Sequence, residues 1–392
     1  MEIIVLFGTI LICGYFFGLV AEKLGFPRVT SYLLAGILFS KELLGQQLSL
    51  NIDYWADFFS QICLGFIAYI VGSEIHIDKL RQHKKVTFLA TLFSSTLPVF
   101  LVFGLLYFLC LSSNLSPYIA IVLAAVSSTT DPAATVAVID QYKIKGIMTE
   151  ITLKIVALDD ALGLIIFAII SIFFLPSEVG SGFQLVIREI GVSIILGAIL
   201  GYFLSKFAKL SLSNDFLLPL LTGLVLVGVG LSHLYHLSNL MVCIVLGFVA
   251  NSTNQNTSRV SLLLPIQHIR ELIFITFFTI AGTHFSIEYF SKTFLFIITY
   301  VLARGIGKYI GAYLGVKLGQ DTNKELSRYL GITLLPQAGV TIGLLIQVVQ
   351  IPEIAPLKDF LFNIILGSTI IYEVLGPILS KYAFSKMGEL KL

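Results

Sequence analysis

The chain has 392 residues, of which 57% are apolar and only 12% charged; its mean hydropathy is +0.94 and its formal net charge +2. A soluble domain of this length needs far more charge to cover its surface, and the strands of a transmembrane barrel would alternate apolar and polar residues, which these runs do not. Apolar runs of about 18 residues or more instead recur from end to end and read as membrane-spanning helices, because in lipid each backbone polar group must be satisfied within its own segment.

Thirteen spans are expected, at about 2–22, 30–44, 55–73, 86–112, 117–139, 148–175, 185–207, 212–234, 238–251, 270–284, 293–316, 328–348 and 359–384. The first lacks a basic start and a small-residue cleavage site, so it reads as a retained helix. Spans 30–44, 238–251 and 270–284 are short. Glu74 closes the third span, ahead of a basic loop. The fifth is interrupted by Ser-Ser-Thr-Thr-Asp-Pro at 127–132, where Pro132 removes a backbone donor and disfavours helix at Asp131. The sixth carries Asp159 and Asp160 near its midpoint, in KIVALDDALGLIIFAII. Adjacent helix positions differ by about 100°, so the two carboxylates cannot share a face.

The eleventh span carries Arg304 and Lys308 on one face, together with Gly307, Gly311, Gly315 and Gly319, a small-residue stripe suited to close helix packing. The twelfth breaks at Pro336-Gln337-Ala338-Gly339, and Glu373 stands mid-span in the thirteenth without an assigned role. Cys13, Cys63, Cys110 and Cys243 lie in apolar runs without metal-ligand spacing and read as small core hydrophobes.

Two segments recur at an offset of about 210: YLLAGILFS at 32–40 with CIVLGFVAN at 243–251, and GSEIHID at 72–78 with GTHFSIE at 282–288. That offset lays spans one to six over eight to thirteen and leaves 185–207 as a linker helix. Seven crossings separate equivalent helices, so the second copy is inverted. The fold expected is therefore all-α and integral to the membrane, with about 13 transmembrane helices in two inverted six-helix repeats, 1–175 and 212–384. Basic residues divide 19 to 4 between the two sets of loops, which places the N-terminus outside and the C-terminus in the cytoplasm.

A charge at the centre of a membrane helix costs at least about 2.5–3.5 kcal/mol, so each one is a functional candidate. Asp159 and Asp160 are the expected site of proton and cation, since a carboxylate in a low-dielectric cavity can trade one for the other. Lys308 is expected to pair with Asp159 or Asp160, and Arg304 with Glu74. The two interrupted helices in equivalent positions mark the binding region. There Asp131 offsets helix-end charge, and Thr130, with Ser128 and Thr129, offers hard oxygen ligands. Flux through a monovalent cation channel or a cation-coupled symporter of a small solute is the alternative reading. No nucleophile–base pair points to an enzyme, and no cofactor or nucleic-acid partner is expected.

The motifs TTDPAA, LDDALGL, ARGIGKYIGAYLG and LLPQAGVTIGL resemble the monovalent cation:proton antiporter family, in its two-aspartate, NapA-like or Kef-related branch. The resemblance covers essentially the whole chain. It implies an NhaA/NapA-like fold with two crossed broken helices, a mobile core (about 86–175 and 293–384) and a dimerisation part (about 1–73 and 212–284). A homodimer in the cell membrane would exchange Na⁺, or Li⁺ or K⁺, for H⁺ by elevator-type alternating access. Asp160 would be the main cation and proton carboxylate and Asp159 the acid paired with Lys308. Thr130 and Asp131 would lie at the unwound crossing, and Arg304 would match an arginine that pairs with an acid like Glu74. The chain ends without the nucleotide-binding domain of Kef-type systems, so gating of that kind is not expected.

Overall fold

A computed structural model of the chain describes residues 2–24, 28–40, 42–43, 53–74, 83–171, 179–208, 216–235, 237–254, 262, 264–319 and 324–390. No strand occurs among them. The helices are α1 (Glu2–Leu24), α2 (Arg28–Leu38), α3 (Asp53–Glu74), α4 (Lys84–Ser112), α5 (Tyr118–Val126), α6 (Pro132–Tyr142), α7 (Ile147–Ser171), α8 (Val179–Ala208), α9 (Leu217–Leu234), α10 (Asn239–Asn254), α11 (Leu264–Thr283), α12 (Ile287–Leu318), α13 (Lys324–Tyr329), α14 (Gly339–Val348) and α15 (Lys358–Lys386). A 3-10 turn at Leu330–Leu334 continues α13.

Seven of these helices, α1, α4, α8, α9, α11, α12 and α15, are long and apolar enough to cross a membrane. Lys324–Leu334 and Gly339–Val348 form a pair bent by 51° that makes up to an eighth span. The short apolar segments are α2, Phe58–Ser73 in α3 and Asn239–Thr253 in α10. One expectation needs correcting. The span read as short at 270–284 is a helix of 20 residues that starts at Leu264. Its first turns carry Gln267, His268, Arg270 and Glu271, which reads as loop but folds as helix. Large apolar side chains such as Ile4, Val5, Phe100, Phe108, Ile195 and Ile199 are exposed, a surface that suits hydrocarbon, not water.

The chain divides into two compact units. One comprises Met1–Asn51, Leu80–Ile170 and Phe278–Leu392; the other comprises Ile52–Lys79 and Ser171–Phe277. In the second, α10 packs between α3 and α8. A Cβ on Gly72 would come within 1.9 Å of the Ile244 carbonyl oxygen, and one on Gly247 within 2.2 Å of that of Tyr69, so α3 and α10 touch backbone to backbone.

In the first unit α4 and α12 form the most extensive helix pair, and the glycine stripe explains it. A Cβ on Gly307 would approach Pro98 Cα to 2.5 Å, on Gly311 the Phe93 oxygen to 2.3 Å, and on Gly315 Ala90 Cα to 2.4 Å. With no side chain in the way, the two backbones approach closely enough for extensive dispersion contact, a principal force between apolar helices in lipid. At one end of this unit Val86, Ile144, Met148, Ile151, Val316 and Phe384 close an apolar cluster joining α4, α6, α7, α12 and α15.

Candidate functional site

The two interrupted spans meet at their breaks. The first runs α5, then Ser127–Asp131 without helix, then α6; the second runs α13 and its 3-10 turn, then residues 335–338 without helix, then α14. The Asp131 amide donates to the Pro336 carbonyl at 2.9 Å. Gln337 Nε2 donates to the Val126 carbonyl at 3.2 Å and to the Tyr300 hydroxyl at 2.7 Å. The Thr129 and Thr341 hydroxyls are bonded at 2.6 Å. Each break therefore supplies part of what the other lacks, as buried backbone requires.

Arg304 of α12 is fully buried at this crossing. Its Nε donates to the Ser127 carbonyl at 3.1 Å and Nη2 to that of Thr129 at 2.6 Å. On the other break, Nη1 donates to the Leu335 carbonyl at 2.7 Å and Nη2 to that of Pro336 at 3.4 Å. The guanidinium lies 4.6 Å from the Tyr372 ring centroid. One planar, permanently charged group thus gathers the carbonyl ends of both broken helices, where helix dipoles concentrate negative partial charge. The side chain of Glu74, its expected partner, lies outside the described residues.

One turn further along α12, Lys308 is equally buried. Its ammonium donates to the Ser128 carbonyl, to Thr130 Oγ1 at 2.9 Å and to Asp159 Oδ2, with which it forms an ion pair. Asp159 also accepts from the hydroxyls of Ser95 and Thr130. Thr130 Oγ1 lies 3.3 Å from the Leu334 carbonyl as well. Between Asp159 and Asp160, left open by their sequence, the lysine contacts Asp159.

Asp160 is in the opposite condition. It is fully buried, yet neither carboxylate oxygen has a hydrogen-bond partner. The charges closest to it in effect are Asp159, Asp131 and Lys308. Ser128 Oγ is also buried without a partner, and it faces the same helix: a Cβ on Gly163, three residues beyond Asp160, would stand 2.9 Å from it. Asp131 is 8% exposed, and Glu373 of α15, fully buried, stands beside it and within the field of Arg304. Ser95 was not singled out from sequence. The signal available was a Ser-Ser-Thr run inside the fourth apolar span, three residues before Pro98.

Among the described residues, no cluster of three or more His, Cys, Asp or Glu is arranged to hold a metal ion. What the crossing offers is the ion-paired carboxylate of Asp159, two buried carboxylates whose oxygens have no hydrogen-bond partner, Asp160 and Glu373, and hydroxyl and carbonyl oxygens around them. Such a site can hold either a proton or a small cation on Asp160.

No curated protein matches this sequence. Among solved structures, the fold is similar to the sodium proton antiporter MjNhaP1 from Methanocaldococcus jannaschii at pH 8, with a TM-score of 0.76 and 19% identity over 100% of this chain and 99% of that one. An electron-microscopy structure of the same antiporter aligns with a TM-score of 0.70 and 17% identity, over 99% of this chain and 95% of that one. The family described as sodium/hydrogen exchanger, transmembrane, matches residues 7–381, and the chain belongs to it.

Proposed function

We propose that this protein is a secondary antiporter that exchanges Na⁺ for H⁺ across the cell membrane, with Asp160 as the group that both ions occupy in turn. The observation that carries the reading is the unequal treatment of two adjacent acids. Asp159 is held by an ammonium and two hydroxyls; Asp160 is buried with no side-chain donor, the Thr130 amide being the backbone group that acts on it. A bare buried carboxylate is unstable until something positive joins it. A proton or a sodium ion each supplies one positive charge, and the site holds one or the other. Thr130 and the unpartnered Ser128 hydroxyl supply hard oxygens for the cation, and Asp159 adds charge.

The buried charges explain why exchange is obligatory. Asp131, Asp159, Asp160 and Glu373 face Arg304 and Lys308. Whatever protonation the other acids keep, loading Asp160 with H⁺ or Na⁺ gives the same net charge. The empty site leaves the Asp160 carboxylate ionised and without a side-chain donor, and that uncompensated buried charge makes it the costlier form to move through a low-dielectric barrier. A loaded site crosses; an empty one stays.

The crossing belongs to a mobile core at about 86–175 and 293–384, moving against a dimerisation part at about 1–73 and 212–284 by an elevator motion. Thirteen spans in two inverted repeats, with the N-terminus outside and a homodimer in the membrane, complete the reading. The 19 to 4 division of basic residues supports that orientation. Proton flux in proteoliposomes with an inside-acid gradient tests it. Added Na⁺ should alkalinise the lumen, Li⁺ and K⁺ serving as comparisons, and Asp160→Asn should abolish the response. Current through the wild type that needs no counter-ion would replace antiport with a channel. Sodium uptake that depends on an organic solute would replace it with symport.

A further inference from the structure

Helix α7 carries both aspartates, and the amides of its first turn have no helical acceptor. Ser, Thr, Asp or Asn ordinarily stands before such a helix and supplies one. Here the preceding residue is Gly146, with no side chain to offer. The acceptor comes from beyond the last helix. Glu389 Oε1 accepts from the Met148 amide at 2.7 Å; Oε2 accepts from the Thr149 amide at 3.0 Å and from the Thr149 hydroxyl at 2.7 Å. Gly146 makes the room, since a Cβ there would stand 2.1 Å from the Glu389 carboxyl carbon.

The end of α15 aims this carboxylate. Gly388 adopts a left-handed φ of 71°. Its amide donates to the Ser385 carbonyl at 3.0 Å, and that of Glu389 donates to the Phe384 carbonyl at 3.1 Å, the two bonds of a glycine-terminated helix. Leu390 then buries itself in the cluster with Ile144, Met148 and Phe384. The carboxylate also meets the positive end of the α7 dipole.

The geometry points to Glu389 as a positioning residue for the exchange site: it replaces the missing cap of α7 and ties that helix to α15, so that the two travel as one body. Twelve positions separate Met148 from Asp160, about 18 Å of helix at 1.5 Å per residue. At that distance the direct Coulomb interaction of Glu389 with Asp160 is under about 1 kcal/mol at an effective dielectric constant of about 20, so the link is chiefly mechanical. A helix is stiff over this length, and a shift at its start is carried to the aspartates. Misplacing a reacting group by about 1 Å lowers rates by up to about 100-fold.

The inference rests on the exchange reading above, and the full chain in proteoliposomes separates the two. Cation-dependent proton flux is measured for wild type, Glu389→Ala, Glu389→Gln and the double variant Gly146→Cys/Glu389→Cys, the last both reduced and oxidised. Glu389→Ala should raise the half-saturating Na⁺ concentration at least about fivefold and shift the pH profile. Glu389→Gln, which keeps an acceptor oxygen, should lie between it and wild type. The reduced double variant should resemble Glu389→Ala, and oxidation, which replaces the hydrogen bonds by a covalent tie, should restore the wild-type values. A wild type without cation response sinks the exchange reading itself. A responsive wild type with unchanged Glu389→Ala, or an oxidised double variant that is arrested or not restored, overturns the clamp alone. If Glu389→Ala cannot be recovered from the membrane, the reduced and oxidised double variant decides by itself.

Discussion

The Lys308–Asp159 pair gives the sharpest quantitative prediction. Both side chains are fully buried, so solvent screening does not dilute their interaction. Lys308→Met removes three donations, to Ser128, Thr130 and Asp159, and leaves Asp159 charged with only two hydroxyl donors. Breaking a buried pair from one side costs about 3–5 kcal/mol, a large part of a total stability of about 5–15 kcal/mol. Asp159→Asn, made alone, strands the ammonium and costs a similar amount. Made together, the two changes strand no charge, and their combined cost should fall short of the sum by up to about 3 kcal/mol, the coupling expected of groups in contact. The assay is thermal unfolding of the purified protein in detergent for all four members of the cycle. The double variant should melt clearly above the temperature that the two single losses, added, would give. Strictly additive losses would refute the pairing as the source of stability.

The remaining predictions use the same crossing. Asp160→Asn should melt no lower than wild type while losing exchange, because it removes a buried charge that no donor satisfies; a lower melting point would mean that Asp160 is structural. Arg304→Lys should lose most folded protein, read by size-exclusion recovery, since one ammonium cannot span the four carbonyls of two breaks. Gly311→Leu should prevent assembly, its Cβ meeting the Phe93 backbone at 2.3 Å, whereas Gly305→Ala should be tolerated, its nearest neighbour being the Tyr372 hydroxyl at 3.4 Å; equal recovery of both would remove the stripe from the packing argument. Thr129→Val and Thr341→Val should each cost about 1 kcal/mol, and the pair together little more than either.

Much of this arrangement is legible in the sequence because lipid leaves so few options. Long apolar runs must be helices, and a proline beside polar residues inside such a run marks a break, as at Pro132 and Pro336. Intramembrane charges are rare enough that Asp159, Asp160, Arg304 and Lys308 stand out. The residues meeting the guanidinium of Arg304 do not, because its described hydrogen-bond acceptors are backbone carbonyls, which every residue carries. The phase of α7 against α12 is set by packing, so nothing in Asp-Asp says which acid meets the lysine. Ser95 looks like any helical serine until α4 lies beside α7. The start of α11 was hidden by Arg270 and Glu271, which read as loop but continue the helix. Glu389 acts across 240 positions on Thr149, a separation no local pattern reports.

Contacts between helices support the proposed inverted repeat more strongly than the sequence echoes do. Gly36 of α2 and Gly282 of α11 meet backbone to backbone, and so do Gly72 of α3 and Gly247 of α10. Adding about 210 to Gly36 leads to Gly247, and adding the same to Gly72 leads to Gly282. Each close contact pairs offset-related positions with the halves exchanged, a pattern that the proposed inverted repeat leads one to expect. Thr129 and Thr341, 212 positions apart, touch each other, as a position and its counterpart in the proposed repeat would. The chemistry does not follow this symmetry. The positions about 210 beyond Asp159 and Asp160 are held by isoleucines, Ile370 and Ile371, and those about 210 before Arg304 and Lys308 fall near Phe93 and Leu97. One half of the chain therefore supplies Asp159 and Asp160 and the other Arg304 and Lys308, while each half adds one further acid, Asp131 and Glu373, which stand side by side within the field of Arg304. With these charges divided, the same crossing brings Lys308 to Asp159 and leaves both oxygens of Asp160, next along the helix, without a hydrogen-bond partner, the difference between neighbours on which the proposed exchange rests.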